Sequence, residues 1–277
     1  MSLLDQYLIT EKIIVITGGC GLLGRMHCQA VLEGKGIPAI IGTSDEKLAR
    51  TKAEFLEKYP DGTIETFRAD ITKKDEVIKV RDALMEKYGH IDGLINNAAN
   101  NPKAEGGSDN MKAIRFCDFP EKMWLDDVAV GLTGAIYCAQ VFGEIMEQQK
   151  SGVVINISSD YGLVAPNQSI YRVEGKPDDE QIVKPVSYSV VKHGIIGLTK
   201  YLATYWAKQG IRVNTLSPTG IYNNQPEDFV AKFSELVPMG RMSKPEEYPA
   251  TILYMLSEAS SFMTGATVVL DGGRTIW

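Results

Sequence analysis

Tyr188 and Lys192 stand four residues apart in the run Val186 to Lys200, VSYSVVKHGIIGLTK. The run has neither proline nor strand alternation, so it reads as helix. Residues at i and i+4 share one helix face, about one turn apart. A phenol beside an ammonium is an acid–base device: the cation favours the phenolate and brings proton transfer nearer neutral pH. With 12 tyrosines in the chain, roughly one Tyr-x-x-x-Lys is expected by chance, and this pair is the only match. Two features upstream give it context. One is a glycine-rich turn near the N-terminus, and the other is Ser158-Ser159, which ends an apolar strand.

The turn is Thr17-Gly18-Gly19-Cys20-Gly21-Leu22-Leu23-Gly24. It lies between an apolar β-branched run (13–17, IIVIT) and a predicted helix over 22–33. Glycines there let the backbone turn sharply and approach a pyrophosphate, which the helix N-terminus favours electrostatically. Gly18, Cys20, Gly21, Leu22, Leu23 and Gly24 are therefore candidate nucleotide contacts. Asp70, followed by Ile71, ends a third strand over 64–70 and can meet an adenine edge. A solvated strand-end acid or a helix cap explains Asp70 equally well. Asn96-Asn97-Ala98 closes the fourth strand at the same carboxyl edge, where ligands bind in such sheets.

The second strand ends in Gly42-Thr43-Ser44-Asp45. An acidic residue about 20 positions beyond the glycines usually holds the adenosine ribose. Asp45 falls past the strand end, and Thr43 with Glu46 forms a capping-box pattern, a purely structural explanation. With no carboxylate at the last strand position, a 2′-phosphate is not repelled, and Arg25 and Lys47 are candidates to pair with it. The cofactor is read as NAD or NADP, with a lean to NADP.

Strands alternate with helices along the whole chain. The strands fall near 13–17, 38–42, 64–70, 91–97, 153–158, 212–217 and 267–271. The helices fall near 22–33, 45–58, 73–88, 121–149, 186–209 and 246–257. That order implies βαβ units, a parallel sheet and right-handed crossovers. One α/β domain spans 1–277, with irregular insertions near 100–118 and 165–185. The second insertion is bracketed by Ser159 and Tyr188, so it emerges at the site mouth however it folds. It carries Arg172, Lys176 and Lys184 among Asp178, Asp179 and Glu180. It is expected to help shape a pocket for a polar, phosphorylated or sugar-like substrate, and a solvated loop or subunit contact is the equal alternative. Segment 100–118 opens on the same edge and holds Lys112 and Arg115, and the stretch 219–242 reads as flexible.

Composition bounds the rest. The chain has 277 residues, 44% hydrophobic and 23% charged, enough for a substantial core. A net charge of −6 and a pI near 5.3 argue against nucleic-acid binding through a basic face. Cys20, Cys28, Cys117 and Cys138 are scattered without a C-x-x-C, which points to a reducing cytoplasm. His27, His90 and His193 lie far apart, so no metal site is expected. No basic leader with an apolar core and no membrane span is read from the sequence.

Taken in order, the glycine turn, Asp70, Asn96-Asn97-Ala98-Ala99, Ser159, Tyr188-x-x-x-Lys192, Ser217-Pro218 and Asp271-Gly272-Gly273 resemble the short-chain dehydrogenase/reductases over nearly the full length. The resemblance implies a single-domain Rossmann-type three-layer sandwich with a seven-stranded parallel sheet, a nicotinamide cofactor and a homo-oligomer, dimer or tetramer. It implies Tyr188 as catalytic acid/base and Lys192 as the residue that tunes it and holds the nicotinamide ribose. It also implies Ser159 as the group orienting the substrate oxygen, Ser158 as structural, and Pro218, Thr219 and Ile221 beside the carboxamide. More loosely, the TGGxGLLG turn, the insertion and SPTGIYNNQ are similar to dehydrogenases of flagellin-modification and sialic-acid-like sugar pathways.

Four departures stand out. The TGxxGxxG spacing is that of the extended, sugar-nucleotide-modifying branch. Gly131 replaces the asparagine that normally supports a proton-relay water. Ser159 and Tyr188 are further apart than in the common form. Thr219 replaces a glycine, and Asn223 stands where a threonine is usual. Small residues Gly134, Ala135, Ala139, Gly194 and Gly197 suit either a dimer interface or burial within one subunit. The expected activity is reversible hydride transfer between a nicotinamide and a small-molecule secondary alcohol or ketone. Alternatives are a sugar-nucleotide epimerase or dehydratase with transient hydride transfer, and a non-catalytic nucleotide-binding regulator.

Overall fold

The computed structural model describes residues 2–100 and 115–277. Most of the 100–118 segment, Lys112 included, lies outside them. The organising strand is β1 (Ile13–Thr17), whose five residues are all buried. Side chains alternate across a strand. Ile13 and Val15 face one apolar cluster while Ile14 and Ile16 face another. A strand covered on both faces must be apolar throughout, which is why IIVIT shows no alternation.

Six more strands join it: β2 (Ile37–Gly42), β3 (Glu65–Arg68), β4 (Gly93–Asn96), β5 (Gly152–Ile157), β6 (Ile211–Pro218) and β7 (Thr267–Leu270). The order is β3-β2-β1-β4-β5-β6-β7, and every pairing is parallel. The crossover from β3 to β4 reverses the direction of growth beside β1, so β1 and β4 flank the switch point where a ligand crevice forms. One face carries α1 (Leu22–Glu33), α2 (Asp45–Lys58) and α8 (Pro249–Leu256). The other carries α3 (Lys74–Tyr88), α5 (Gly134–Gln149) and α6 (Val186–Trp206). The short helices α4 (Glu121–Val128) and α7 (Glu227–Ser234) complete the set among the described residues.

Several boundaries differ from those read in the sequence. β3 stops at Arg68, so Asp70 sits in the following turn rather than ending the strand. The cap of α2 is Ser44, whose hydroxyl accepts from the N–H of Lys47, so the Thr43–Glu46 capping box does not form. The run 121–149 is interrupted by a π turn at Ala129–Thr133, between α4 and α5. Its helical span Glu121–Gln149 is apolar enough to pass for a membrane span by length and composition, with a window of mean hydropathy 1.4. That apolar character is explained by the core, because Cys138, Phe142 and Met146 of α5 are fully buried against the sheet. Ala135 and Ala139 are buried in the subunit as well, and a side chain on Gly134 would strike Ile71. The stretch 219–242 is ordered around α7.

His27 of α1 connects the core to the ligand edge. Its Nε2 meets Asn97 Oδ1 at 3.2 Å. The Asn97 amide donates to the carbonyls of Thr17 and Gly18, at 2.9 and 3.2 Å. Asn97 Oδ1 is thus an acceptor, so His27 donates from Nε2 and is neutral. Burial holds it at about 4, below the ordinary 6.5, with the Asn97 contact opposing. A depressed base contributes stability that is present above pH 6.5 and is lost as pH falls toward 4. Urea unfolding across that window is expected to show a loss of up to about 3 kcal/mol, which His27→Gln flattens; an unchanged slope in the variant refutes this assignment.

Candidate active site

A cavity of about 880 Å³ opens at the carboxyl edge of the sheet, lined by the ends of β1, β2, β4, β5 and β6. Gly18, Cys20, Gly21, Leu22, Leu23 and Gly24 form its floor at the start of α1. The helix is capped by Gly21, which has no side chain to occupy the first-turn N–H groups. Those donors are available to an anion, with the helix dipole behind them. Packing of the turn depends on Gly24, where a Cβ would lie 2.3 Å from the Gly18 carbonyl oxygen. The donor set fits a dinucleotide pyrophosphate.

Along the same wall lie Thr43, Ser44 and Lys47, then Asp70 and Ile71, then Asn97 and Ala98. Burial works against the Asp70 carboxylate, yet it is held below the usual range by the Thr72 hydroxyl and N–H and by Lys73. Asp45 is exposed and 3.5 Å from Arg68, away from the cavity lining. Arg25 is not in the lining either. Its guanidinium pairs with Glu54 and lies 5.3 Å over the Phe55 ring, so of the two cations read as phosphate partners only Lys47 faces the cavity.

The other end of the cavity is built by β5 and α6. Ser158 donates to the Lys192 carbonyl at 2.7 Å, and the Lys192 ammonium donates to the Ile157 carbonyl at 2.8 Å. Ser159, Tyr188 and Lys192 all line the cavity, as do Pro218, Thr219 and Ile221. Burial, reinforced by the neighbouring Lys184, pushes Lys192 down to about 8. Both ammonium groups approach the Tyr188 ring, with Lys184 Nζ 4.1 Å and Lys192 Nζ 5.7 Å from its centroid. Both cations favour the phenolate over the phenol.

Insertion 165–185 is anchored at its two flanks, while residues 172–180 between them are exposed. Ile170, Tyr171 and Ile182 pack with Phe229 and Phe233 of α7 in a separate apolar cluster at the cavity rim. Of its three cations, Lys184 is buried and lines the cavity, Lys176 is exposed, and Arg172 pairs with Asp178. Tyr161 crosses Tyr188 edge-on at 6.4 Å, and its hydroxyl meets that of Tyr171 at 3.1 Å. Asp160, Tyr161, Tyr171, Phe229 and Phe233 were not anticipated from the sequence. The signal for Asp160 was a charged residue directly after an apolar strand; the aromatic residues carried none.

Gly131 sits in the π turn, where a Cβ would lie 2.4 Å from Val191 Cγ1. The α6 valine fills the space beside the backbone that a larger residue would need.

Family models match two parts of the chain, one described as short chain dehydrogenase over residues 12–172 and one as enoyl-(acyl carrier protein) reductase over 179–275. The post-translational flagellin modification protein A of Campylobacter coli is 30% identical over 96% of this chain and 99% of its own length. The NADH-dependent L-xylulose reductase of Ambrosiozyma monospora is 31% identical over 95% of this chain and 94% of its own. A gluconate 5-dehydrogenase from Burkholderia cenocepacia, solved with NADP and tartrate, superposes with a TM-score of 0.85 over the full length of both chains, at 22% identity, and so shares the fold. The chain belongs to the short-chain dehydrogenase/reductase family. It is an NAD(P)-dependent oxidoreductase that transfers a hydride between the nicotinamide and a secondary alcohol or ketone.

The Gly131 geometry makes a prediction. Gly131→Asn is expected to cost about 1–3 kcal/mol through the clash with Val191. Adding Val191→Ala is expected to restore much of it in thermal unfolding. A fully stable single variant would show that the π turn yields freely.

Proposed function

We propose that Tyr188, Lys192 and Ser159 carry the reaction, on the observation that all three converge on the cavity that also holds the glycine turn. The nicotinamide, when bound, supplies or accepts the hydride. In reduction, Tyr188 gives its hydroxyl proton to the substrate oxygen and Lys192 stabilises the tyrosinate left behind. In oxidation the proton returns to the Tyr188 oxygen. Ser159 orients the substrate oxygen. Lys192 is itself held by the Ile157 carbonyl, so its ammonium is fixed and little reorganisation accompanies charge development.

The substrate is read as a small polyhydroxylated or acidic alcohol or ketone. The buried Lys184 and the amide of Asn223 offer polar contacts, and Tyr171, Phe229 and Phe233 offer an apolar wall. The names of the xylulose reductase and of a D-arabinitol 2-dehydrogenase of Candida albicans support a sugar or sugar alcohol. NADP is favoured because Lys47, Thr43 and Ser44 line the cavity while the neighbouring Asp45 and Glu46 do not. The chain is read as one domain working in the cytoplasm as a dimer or tetramer. Its four cysteines are unpaired, and α6 presents Tyr201 and Tyr205 stacked on each other and more than half exposed.

Two variants test this reading. Tyr188→Phe is expected to keep cofactor binding within about twofold while turnover, followed by nicotinamide absorbance, drops about 10²–10⁴-fold; near-full activity would remove Tyr188 from the mechanism. Lys47→Glu is expected to weaken NADP binding about tenfold or more relative to NAD in calorimetric titrations. An unchanged ratio would locate 2′-phosphate recognition elsewhere or assign the enzyme to NAD.

A further inference from the structure

Beside Ser159 lies a second carboxylate problem. Asp160 is 2% exposed and its side chain is fully engaged. Its Oδ1 accepts from the Ser159 hydroxyl at 2.7 Å and from the Tyr161 N–H at 2.9 Å. Its Oδ2 accepts from the Thr219 hydroxyl at 3.0 Å. Thr219 is the residue that stands where the family pattern has glycine, so the departure supplies a hydroxyl to this carboxylate. Buried Arg274, just past Asp271-Gly272-Gly273, adds a positive charge on the same group.

A serine hydroxyl has one proton. While Asp160 is ionised, that proton is committed to Oδ1, and the Ser159 oxygen also receives the Tyr161 N–H at 3.3 Å. Ser159 then meets the substrate with a lone pair. A lone pair suits the O–H of an alcohol and opposes a carbonyl or alkoxide oxygen. If Asp160 holds a proton, its carboxyl O–H can donate to the Ser159 oxygen, and the serine proton turns to the substrate. A ketone then finds two donors, Ser159 and Tyr188.

We propose that Asp160 is a positioning residue that sets the polarity of Ser159, so that the ionised form favours bound alcohol and the protonated form favours bound ketone. The groups facing Asp160 set where that exchange falls. Arg274 after β7 and the hydroxyls of Ser159 and Thr219 favour the ionised form. Among the described residues, Tyr161 beside it and Tyr248 ahead of α8 also feel its charge, and Tyr188 and Lys192 of α6 line the same cavity. Burial outweighs the favourable contacts and raises the carboxyl above its ordinary value.

One equilibrium constant links the two reaction directions, so the device acts on how kcat and KM divide and not on the overall equilibrium. It rests on the oxidoreductase reading, but its primary test needs no turnover. Aspartate labelled with ¹³C at the carboxyl gives a resonance for Asp160, assigned by its loss in Asp160→Asn. In the free protein its titration midpoint is expected above the ordinary carboxylate range. Thr219→Val, which removes a donor to the ionised form, is expected to move it higher. In the loaded enzyme, KM for the ketone is expected to rise about tenfold through the same midpoint. The rise should shift with Thr219→Val and vanish in Asp160→Asn, whose amide can donate to Ser159. A midpoint in the ordinary range that ignores Thr219→Val overturns the proposal. So does a wild-type KM profile that superposes on that of Asp160→Asn. Loss of all turnover in the wild type with the NMR shifts intact would instead count against the oxidoreductase reading alone.

Discussion

Two hydrogen bonds of opposite sense join the end of β5 to one residue of α6. Ser158 gives its proton to the backbone of Lys192, and the side chain of Lys192 gives one to the backbone of Ile157. The pair fixes both the axial position and the rotation of the helix on the strand. Tyr188, one turn earlier, is then brought to the cavity, and Ser159, next in chain, is brought to the same wall. All the participating atoms are buried, so losing either bond strands a polar group at a cost of about 1–3 kcal/mol. A second polar ladder deepens the anchorage: Asn96 reaches Asn156 at 2.9 Å, Asn156 reaches Thr199 at 2.8 Å, and Thr215 reaches Thr199 at 2.7 Å. It ties β4, β5, β6 and α6 together beneath the site.

Electrostatics around Lys192 and Asp160 runs against the rest of the molecule. The chain is acidic overall, yet Lys184, Lys192 and Arg274 are all buried close to the cavity with Asp160. Burial disfavours every charged form, so it pushes Lys192 down and Asp160 up. Both groups are thereby brought nearer the range in which a proton can be exchanged. The cluster of Ile170, Tyr171, Phe229 and Phe233 adds an apolar wall beside them.

The parts of this arrangement that were legible in the sequence are those encoded by neighbours in the chain. The glycine turn, the Tyr188–Lys192 spacing and the strand-terminal Ser159 each carry their geometry in a few consecutive residues. The sheet was legible because strands buried on both faces are apolar throughout. Contacts between distant segments were not. Arg25 looked available to a phosphate until Glu54 and Phe55 of α2 came alongside it. The π turn depends on Val191 packing against Gly131 from another helix, and no local pattern announces it. Segment 165–185 could be read from its charges as a pocket wall or a solvated loop; Ile170, Tyr171 and Ile182 seat its flanks on α7, contacts no local pattern announced, while 172–180 stay exposed. Asp160 drew no notice because, besides its neighbours Ser159 and Tyr161, the groups that hold it, Thr219 and Arg274, lie far along the chain.

The strand order has a consequence for how the molecule is made. β1, β2 and β3 come from one contiguous stretch, but the other edge of β1 pairs with β4, whose first residue lies 76 positions after the last residue of β1 (93 minus 17). A nascent chain emerging from the ribosome therefore holds a three-stranded parallel fragment whose apolar edge stays open until β4 follows. Such an edge is a template for pairing with other chains, and parallel pairing over long loops forms slowly. Synthesis of this protein at high concentration or raised temperature should thus expose it to aggregation at an early stage, before the second half of the chain has been translated.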